Sequence, residues 1–329
     1  MKALLRDLGT MEYEACWKLQ QLLFDALLSG KHAGDRKGGV VACPGGNPLP
    51  DATRPAEQSC PAEPQKNDGV PQKNAGETTR TEEALRTEET SRTGETSRTE
   101  ETSRSGETSR TGETLRTGEA LRTEGDCGAE WLRRAAEEDP QLAGEVLLVE
   151  HPPVYTLGKS GHVENLLVSR EALEAAGARF FHIDRGGDIT FHGPGQLVVY
   201  PILDLERLGI GLRDYINALE EAVIRMVARY GITAGRIHGA SGVWIDPDGR
   251  RPRKICAIGV RSSRYVTMHG FALNVTTDLG WFSRINPCGF TDRGVASIAS
   301  ETGKTPDMEE VKNQVVNFLS EELNVEIYK

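Results

Sequence analysis

At 329 residues the chain has room for two domains, but a polar stretch from 31 to about 128 cannot build a core, which leaves one domain of ordinary size. A formal net charge of −10 argues against a general nucleic-acid binder, because phosphate contacts need clustered Lys and Arg. The six cysteines form no CxxC pair, against a disulfide framework or a zinc site, and no run of about 18 apolar residues is there to span a bilayer. Arg6 and Asp7 break the first apolar run, so no signal peptide is expected and a reducing cytoplasm fits best.

Residues 2 to 8 read as a strand. Thr10 is expected to cap a helix with Met11, Ala15, Leu19, Leu22, Leu23 and Ala26 on one face, ended by Gly30. Cys16 and Trp17 read as packing residues of that helix. From Lys31 onward Gly, Pro, Asn and charged residues dominate, and then Arg80, Arg86, Arg92, Arg98, Arg104, Arg110, Arg116 and Arg122 mark a hexapeptide repeat over about 80–125. A solenoid would need an apolar residue in every rung, and only Leu85, Leu115 and Leu121 are present. The expectation is a disordered insert over 31–128, with 1–30 and 129–329 forming a single domain.

Beyond it a helix is predicted over Ala129 to Glu138, a strand over Glu145 to Glu150, and another from Val154 to Gly158 after the extended His151-Pro152-Pro153. Ser169 caps a short helix ending near Gly177, and Phe180 to Asp184 leads into the most informative stretch, Arg185 to Leu205. There two β-favouring runs, Ile189 to His192 and Gln196 to Leu205, flank Gly193, Pro194 and Gly195. A plain hairpin accounts for the turn glycines but not for Arg185, Asp188, Thr190, His192 and Gln196 crowded beside an apolar strand. A ligand-binding wall accounts for both. A long amphipathic helix follows from Leu212 to Tyr230. Strands come next at Gly242 to Ile245, Lys254 to Val260 and Tyr265 to Val275, the first two joined by the turn Asp246-Pro247-Asp248-Gly249. Thr305 and Pro306 open a last helix. This irregular order of strands and helices predicts an α/β domain with a mixed sheet and flanking helices.

Cys288 stands between Pro287 and Gly289, where neither helix nor central strand is comfortable, so it is the candidate nucleophile, whereas Cys256 in an apolar strand reads as packing. A thiol with an ordinary pKa of about 8.5 needs a partner to become thiolate at neutral pH. His192, His269 and Lys254 are available. The plain alternative for the histidines is a satisfied polar residue at a strand end. For Lys254 it is a basic rim residue beside Arg250, Arg251 and Arg253. With Arg261 and Arg264, these basic residues are also a candidate docking patch for acidic protein partners.

Five blocks together resemble the lipoyl(octanoyl) transferase family of lipoate biosynthesis: Glu-His-Pro-Pro-Val-Tyr-Thr-Leu-Gly-Lys (150–159), Arg-Gly-Gly-Asp-Ile-Thr-Phe-His-Gly-Pro-Gly-Gln (185–196), Lys-Ile-Cys-Ala-Ile-Gly (254–259), His-Gly-Phe-Ala-Leu-Asn-Val (269–275) and Asn-Pro-Cys-Gly (286–289). The resemblance implies the fold shared with lipoate and biotin protein ligases, interrupted here by the long insert. It implies that Cys288 carries an acyl-thioester and that Lys254 is its acid/base partner. The octanoyl group would come from octanoyl-acyl carrier protein and pass to a lysine of a lipoyl domain, in the glycine-cleavage H protein or the E2 subunit of a 2-oxoacid dehydrogenase, with no cofactor. Arg185, Gly186, Gly187, Asp188, Ile189, Thr190, Phe191 and His192, with Ala257, Ile258, Gly259, Gly270, Phe271 and Ala272, would line the acyl pocket. An ATP-dependent lipoate ligase of the same fold and a cysteine thioesterase or amidase are the rival activities. A catalytically silent adaptor built on the repeat is the non-enzyme rival.

Overall fold

The computed structural model describes residues 1–35, 131–286 and 293–329, with the backbone alone over 32–35. The repeat segment, Cys43, Cys60 and Cys127, and Cys288 with both its neighbours lie outside the described residues.

β1 (Lys2–Thr10) leads into α1 (Tyr13–Asp35). After the insert come a helix over 131–138 (α2), β2 (Leu142–Glu150), β3 (Val154–Leu157), α3 (Arg170–Ala175), β4 (Arg179–His182), β5 (Ile189–His192) and β6 (Gln196–Leu203). Next are α4 (Leu205–Leu208), α5 (Leu212–Ala228), β7 (Ala234–Ile237), β8 (Ala240–Ile245), β9 (Arg253–Ser263) and β10 (Val266–Asn274). A 3₁₀ turn over Leu279–Arg284, β11 (Gly294–Val295), α6 (Ile298–Thr302), α7 (Met308–Leu323) and β12 (Glu326–Tyr328) complete the chain.

The main sheet runs β12-β1-β2-β6-β10-β9-β8-β7, with β11 added parallel to β9. β1 pairs parallel with both β12 and β2, and the pairs from β2 through to β7 are antiparallel, which makes the sheet mixed. Alternating residues feed opposite faces. Val146, Leu148, Leu197 and Val199 pack under α5 and α7, whereas Leu147, Val149, Val198 and Tyr200 pack under α1 and α2. A strand covered on both faces reads as continuous burial, and all eight residues of β6 are buried. A second small sheet, β4-β3-β5, closes over Tyr155, Leu157, Leu173, Phe191 and Phe282.

Pro201 lies inside β6, a central strand, where proline has no N–H to give the ladder. The sheet accommodates it by opening: the β6–β10 pairing runs from Gln196 to Val199 and stops. Beyond that point the Thr267 hydroxyl donates to the Pro201 carbonyl at 2.9 Å and accepts from the Leu203 N–H at 3.1 Å, standing in for a strand partner. On β10 the same opening leaves His269 at φ 63°, and it needs Gly270, because a Cβ there would sit 2.1 Å from the Val199 carbonyl oxygen.

Several elements differ from the sequence expectation. Thr10 caps nothing: its backbone belongs to the β1–β2 ladder opposite Glu150, and α1 starts at Tyr13. Nor does Gly30 end α1, since a mid-helix glycine costs only about 1 kcal/mol relative to Ala and the helix continues to Asp35. The Gly193–Gly195 turn does not close a hairpin. β5 pairs with β3 in the small sheet and β6 with β2 and β10 in the large one, so the turn carries the chain between sheets. The final helix is capped by Asp307, whose side chain accepts from the Glu309 N–H, rather than opened by Thr305.

Candidate active site

The loop between β4 and β5 is held by its own arginine. Arg185 is 7% exposed and donates through Nη2 to the Thr156 carbonyl at 2.7 Å, the Thr156 hydroxyl at 3.0 Å and the Asp188 carbonyl at 2.7 Å. A buried guanidinium needs such acceptors to offset its lost hydration. The loop fits between strands only because glycines flank it. A Cβ on Gly158 would meet the Gly187 oxygen at 2.3 Å, and one on Gly259 the Gly186 oxygen at 2.9 Å. Gly186 N–H then donates to the Val260 carbonyl at 3.0 Å, tying the loop to β9. Asp188 accepts from the His162 and Ile189 N–H groups and from the Asn165 amide, so its carboxylate organises the loop end.

Between this loop and strands β6, β9 and β10 lies a cavity of about 610 Å³. Arg185, Gly186, Gly187, Asp188, Ile189, Thr190, His192, Lys254, Ala257, Ile258, Gly259, Gly270, Phe271 and Ala272 all line it. Phe191 does not. It points to the opposite side of β5, stacked on Trp281 with ring centroids 5.2 Å apart, as the pleat demands of a residue between Thr190 and His192. Cys288 lies outside the described residues. Lining residues absent from the sequence assignment include Tyr13, Val198, Tyr200, Leu212, Ile216 and the β7–β8 turn Gly239–Ser241. His269, considered there only as a base, also lines the wall.

Burial keeps three imidazoles at or behind the cavity wall, His151, His192 and His269, from charging readily. His151 Nδ1 lies 2.7 Å from the Met11 carbonyl, which can only accept, so Nδ1 carries the proton and Nε2 accepts from the Tyr200 hydroxyl at 2.9 Å. Burial lowers His151 to about 4. His192 Nδ1 faces the Gln196 side-chain oxygen at 2.8 Å, and burial, helped by His151, lowers it to about 3. Tyr13 stacks on His192, with its phenol pushed upward by burial. From His192 the polar chain continues: Gln196 donates to Asn274 at 2.8 Å and Asn274 to the Ala296 carbonyl at 2.9 Å. His269 Nε2 lies 3.2 Å from Asp184, while its buried Nδ1 has no hydrogen-bond partner among the described residues. Desolvation lowers His269 as well, so none of these rings is a ready imidazolium at neutral pH.

Lys254 is a different kind of group. It is 8% exposed, lies at the cavity end of β9, and its ammonium stands 4.5 Å from the centroid of the Trp244 ring. The chain that follows Cys288 returns beside it. Val295 pairs with Lys254, and the Ala296 N–H donates to the Lys254 carbonyl at 3.0 Å. Cys256, two residues on, is fully buried with its thiol pushed up by desolvation, which fits packing and not chemistry.

Residues 129–320 match the model of the lipoyl protein ligase A/B catalytic domain. An octanoyltransferase of Bacteroides fragilis strain YCH46 is 57% identical over 189 residues, 56% of this chain and 86% of the relative. The chain belongs to the octanoyltransferase family. A further octanoyltransferase, from Porphyromonas gingivalis, is 60% identical over 179 residues, 54% of this chain and 36% of that one. Among solved structures, a bi-partite lipoate protein ligase of Thermoplasma acidophilum is 19% identical, with a TM-score of 0.45 over 56% of this chain and 72% of that one. The protein is thus an acyltransferase that moves octanoyl groups in protein lipoylation. Lys254 and Cys288 fall within the matched segment, whereas Tyr13 comes from before the insert and still lines this octanoyltransferase's cavity.

Proposed function

We propose that the chain takes an octanoyl group from octanoyl-acyl carrier protein as a thioester on Cys288 and passes it to a lysine of lipoyl domains. The acceptors would be the H protein and the E2 subunits of 2-oxoacid dehydrogenases. The observation that carries this reading is the place of Lys254. It lines the cavity, and its backbone holds the returning end of the segment that contains Cys288. Asn286, two residues before the cysteine, is fixed from the other side by its N–H to the Asn165 carbonyl at 2.8 Å.

An ammonium near Cys288 favours its thiolate. The thiolate attacks the carrier thioester, the C–S bond to pantetheine breaks, and the departing thiolate takes a proton from Lys254. The neutral amine then accepts a proton from the incoming lysine ammonium, and the free amine so formed attacks the acyl-enzyme. The C–S bond to Cys288 breaks to release the thiolate, and the second proton of the new amide nitrogen passes to solvent. Lys254 is protonated again and the cycle closes without a nucleotide or other cofactor, because the thioester supplies the activation. Val198, Ile216 and Phe271 offer the acyl chain apolar wall, at about 0.8 kcal/mol for each methylene buried. A reducing, cytoplasmic setting keeps the thiol available. No helix among the described residues is long and apolar enough to cross a membrane.

Intact-mass spectrometry after mixing the full chain with octanoyl-acyl carrier protein, without ATP, tests the proposal. An octanoyl adduct is expected on the wild type and not on Cys288→Ser. Transfer that appears only with free acid and ATP, or octanoate released to water regardless of acceptor, would sink it.

A further inference from the structure

Trp244 is among the largest fully buried side chains, yet it belongs to none of the four apolar clusters formed by the described residues. Its neighbours on the same strand, Val243 and Ile245, face the core under α5 and α7. Trp244 faces the other way, and its company is cationic. The Lys254 ammonium is 4.5 Å from the ring centroid and the Arg293 guanidinium is 5.3 Å from it. Arg293 is the first described residue after the segment that carries Cys288. One indole therefore meets both the Lys254 amine and Arg293, five residues after Cys288 in the chain.

The strands are shaped to produce this contact. Trp244 and Lys254 are register partners across β8 and β9, next to a bulge between Val243 and Trp244. A bulge re-aims a side chain that a regular ladder would send elsewhere. Gly242, at φ 118°, makes room: a Cβ there would meet the Cys256 carbonyl oxygen at 2.5 Å and the Lys254 Cε at 3.5 Å. Glu220 of α5 accepts from the Gly242 N–H at 3.0 Å and holds the bulge from behind. The indole is pinned in turn, its Nε1 donating to the Ala240 carbonyl at 3.2 Å.

We infer that Trp244 is a positioning residue for octanoyl transfer, whose ring holds the Lys254 ammonium and the Arg293 guanidinium in one place. The inference rests on the roles proposed above for Lys254 and Cys288. An aromatic face attracts an ammonium and not a neutral amine. The ring therefore holds the Lys254 ammonium where it can both steady the thiolate and give its proton to the departing pantetheine thiolate. Among the described residues, the other charged or titratable groups around the amine or on the shared cavity wall include Cys256 on β9, Glu220 from α5, Arg293, and Tyr13, His162, Arg185, Asp188, His192, Tyr200 and His269.

The test is the pH profile of kcat/KM for octanoyl-acyl carrier protein, with single-turnover formation of the Cys288 adduct, in wild type, Trp244→Phe and Trp244→Leu. Acylation needs Lys254 protonated, so its alkaline limb reports loss of that proton. Removing the ring's attraction lets the proton leave sooner, and the limb moves to lower pH. A shift of up to about one pH unit and a rate loss on the order of tenfold are expected for Trp244→Leu. Trp244→Phe, with a weaker ring, falls between. If the Leu variant does not fold, the Phe variant decides by the same limb. A limb that stays in place or moves up, with or without a slower rate, overturns the inference. Absence of the adduct in the wild type would instead overturn the transfer reading beneath it.

Discussion

Lys254→Arg separates two tasks assigned to one amine. Arginine keeps a positive charge at position 254 but cannot release a proton in a protein, because its pKa exceeds about 12. The variant should still hold a reactive thiolate, seen as alkylation by iodoacetamide at near wild-type rate, while octanoyl transfer at pH 7 falls by about 10²–10⁴, the usual worth of general acid–base catalysis. Equal loss of both would mean that Lys254 acts through charge or packing alone. Much of the cavity was legible at this level because its chemistry is written in residue types that have little other reason to cluster. The Arg185–Asp188 run and a lysine opening an apolar strand are of that kind. Carrying a contiguous block onto the wall failed at Phe191, since a strand shows alternate residues to alternate faces. Tyr13 and Trp244 stayed hidden for the opposite reason: an aromatic in an amphipathic pattern reads as core until its neighbours are known.

Strand β10 bears its part of the cavity wall on a defect, and the defect has a sequence cause. Pro201 cannot donate across to β10, so the ladder opens beside it and Thr267, His269 and Gly270 take up the slack. Gly270→Ala would put a methyl against the Val199 carbonyl oxygen and the Pro201 ring, at 2.1 and 2.7 Å, with backbone on one side. Overpacking of this kind costs about 1–3 kcal/mol and would push β10 into the cavity. The expected outcome is a lower Tm together with weaker octanoyl-acyl carrier protein turnover; an unchanged Tm would show that the strands part without strain. A proline inside a β-favouring run is visible in sequence, but which neighbour gives way is set by sheet order, which local pattern does not contain. The same holds for Gly193–Gly195, where the turn signal was right but local pattern could not show that the strands on its two sides belong to different sheets. β7, β11, β12 and α4 escaped notice because two to four residues are too few to display a period.

Two stretches of chain on either side of the insert build one layer. Leu23, Phe24 and Leu27 of α1 share an apolar cluster with Leu132 and Ala136 of α2, and β1 lies between β12 and β2 in the main sheet. The basic residues read as one patch in the sequence are divided by the same architecture. Arg253 is paired with Glu301 and Arg261 with Asp184, and Arg264 sits at the far end of β9, roughly 35 Å along an extended strand from the exposed Arg250 and Arg251. Any electrostatic docking of acidic partners near Lys254 therefore falls to Arg250 and Arg251. The joined α1–α2 layer makes a prediction about the insert. Lys31 and Arg133, from its two sides, border a common cleft with Leu27 and Ala136, so a linker of about ten Gly and Ser residues in place of 36–130 has little distance to cross. Closing a loop costs about 0.6 kcal/mol for each doubling of its length, so the shortening stabilises the fold by on the order of 2 kcal/mol. The shortened chain should melt a few degrees higher and transfer octanoyl groups at the full-length rate, by thermal unfolding and by the same mass assay. If it folds but no longer transfers, the insert takes part in recognising carrier or acceptor; if it does not fold, α1 and α2 depend on it for their packing.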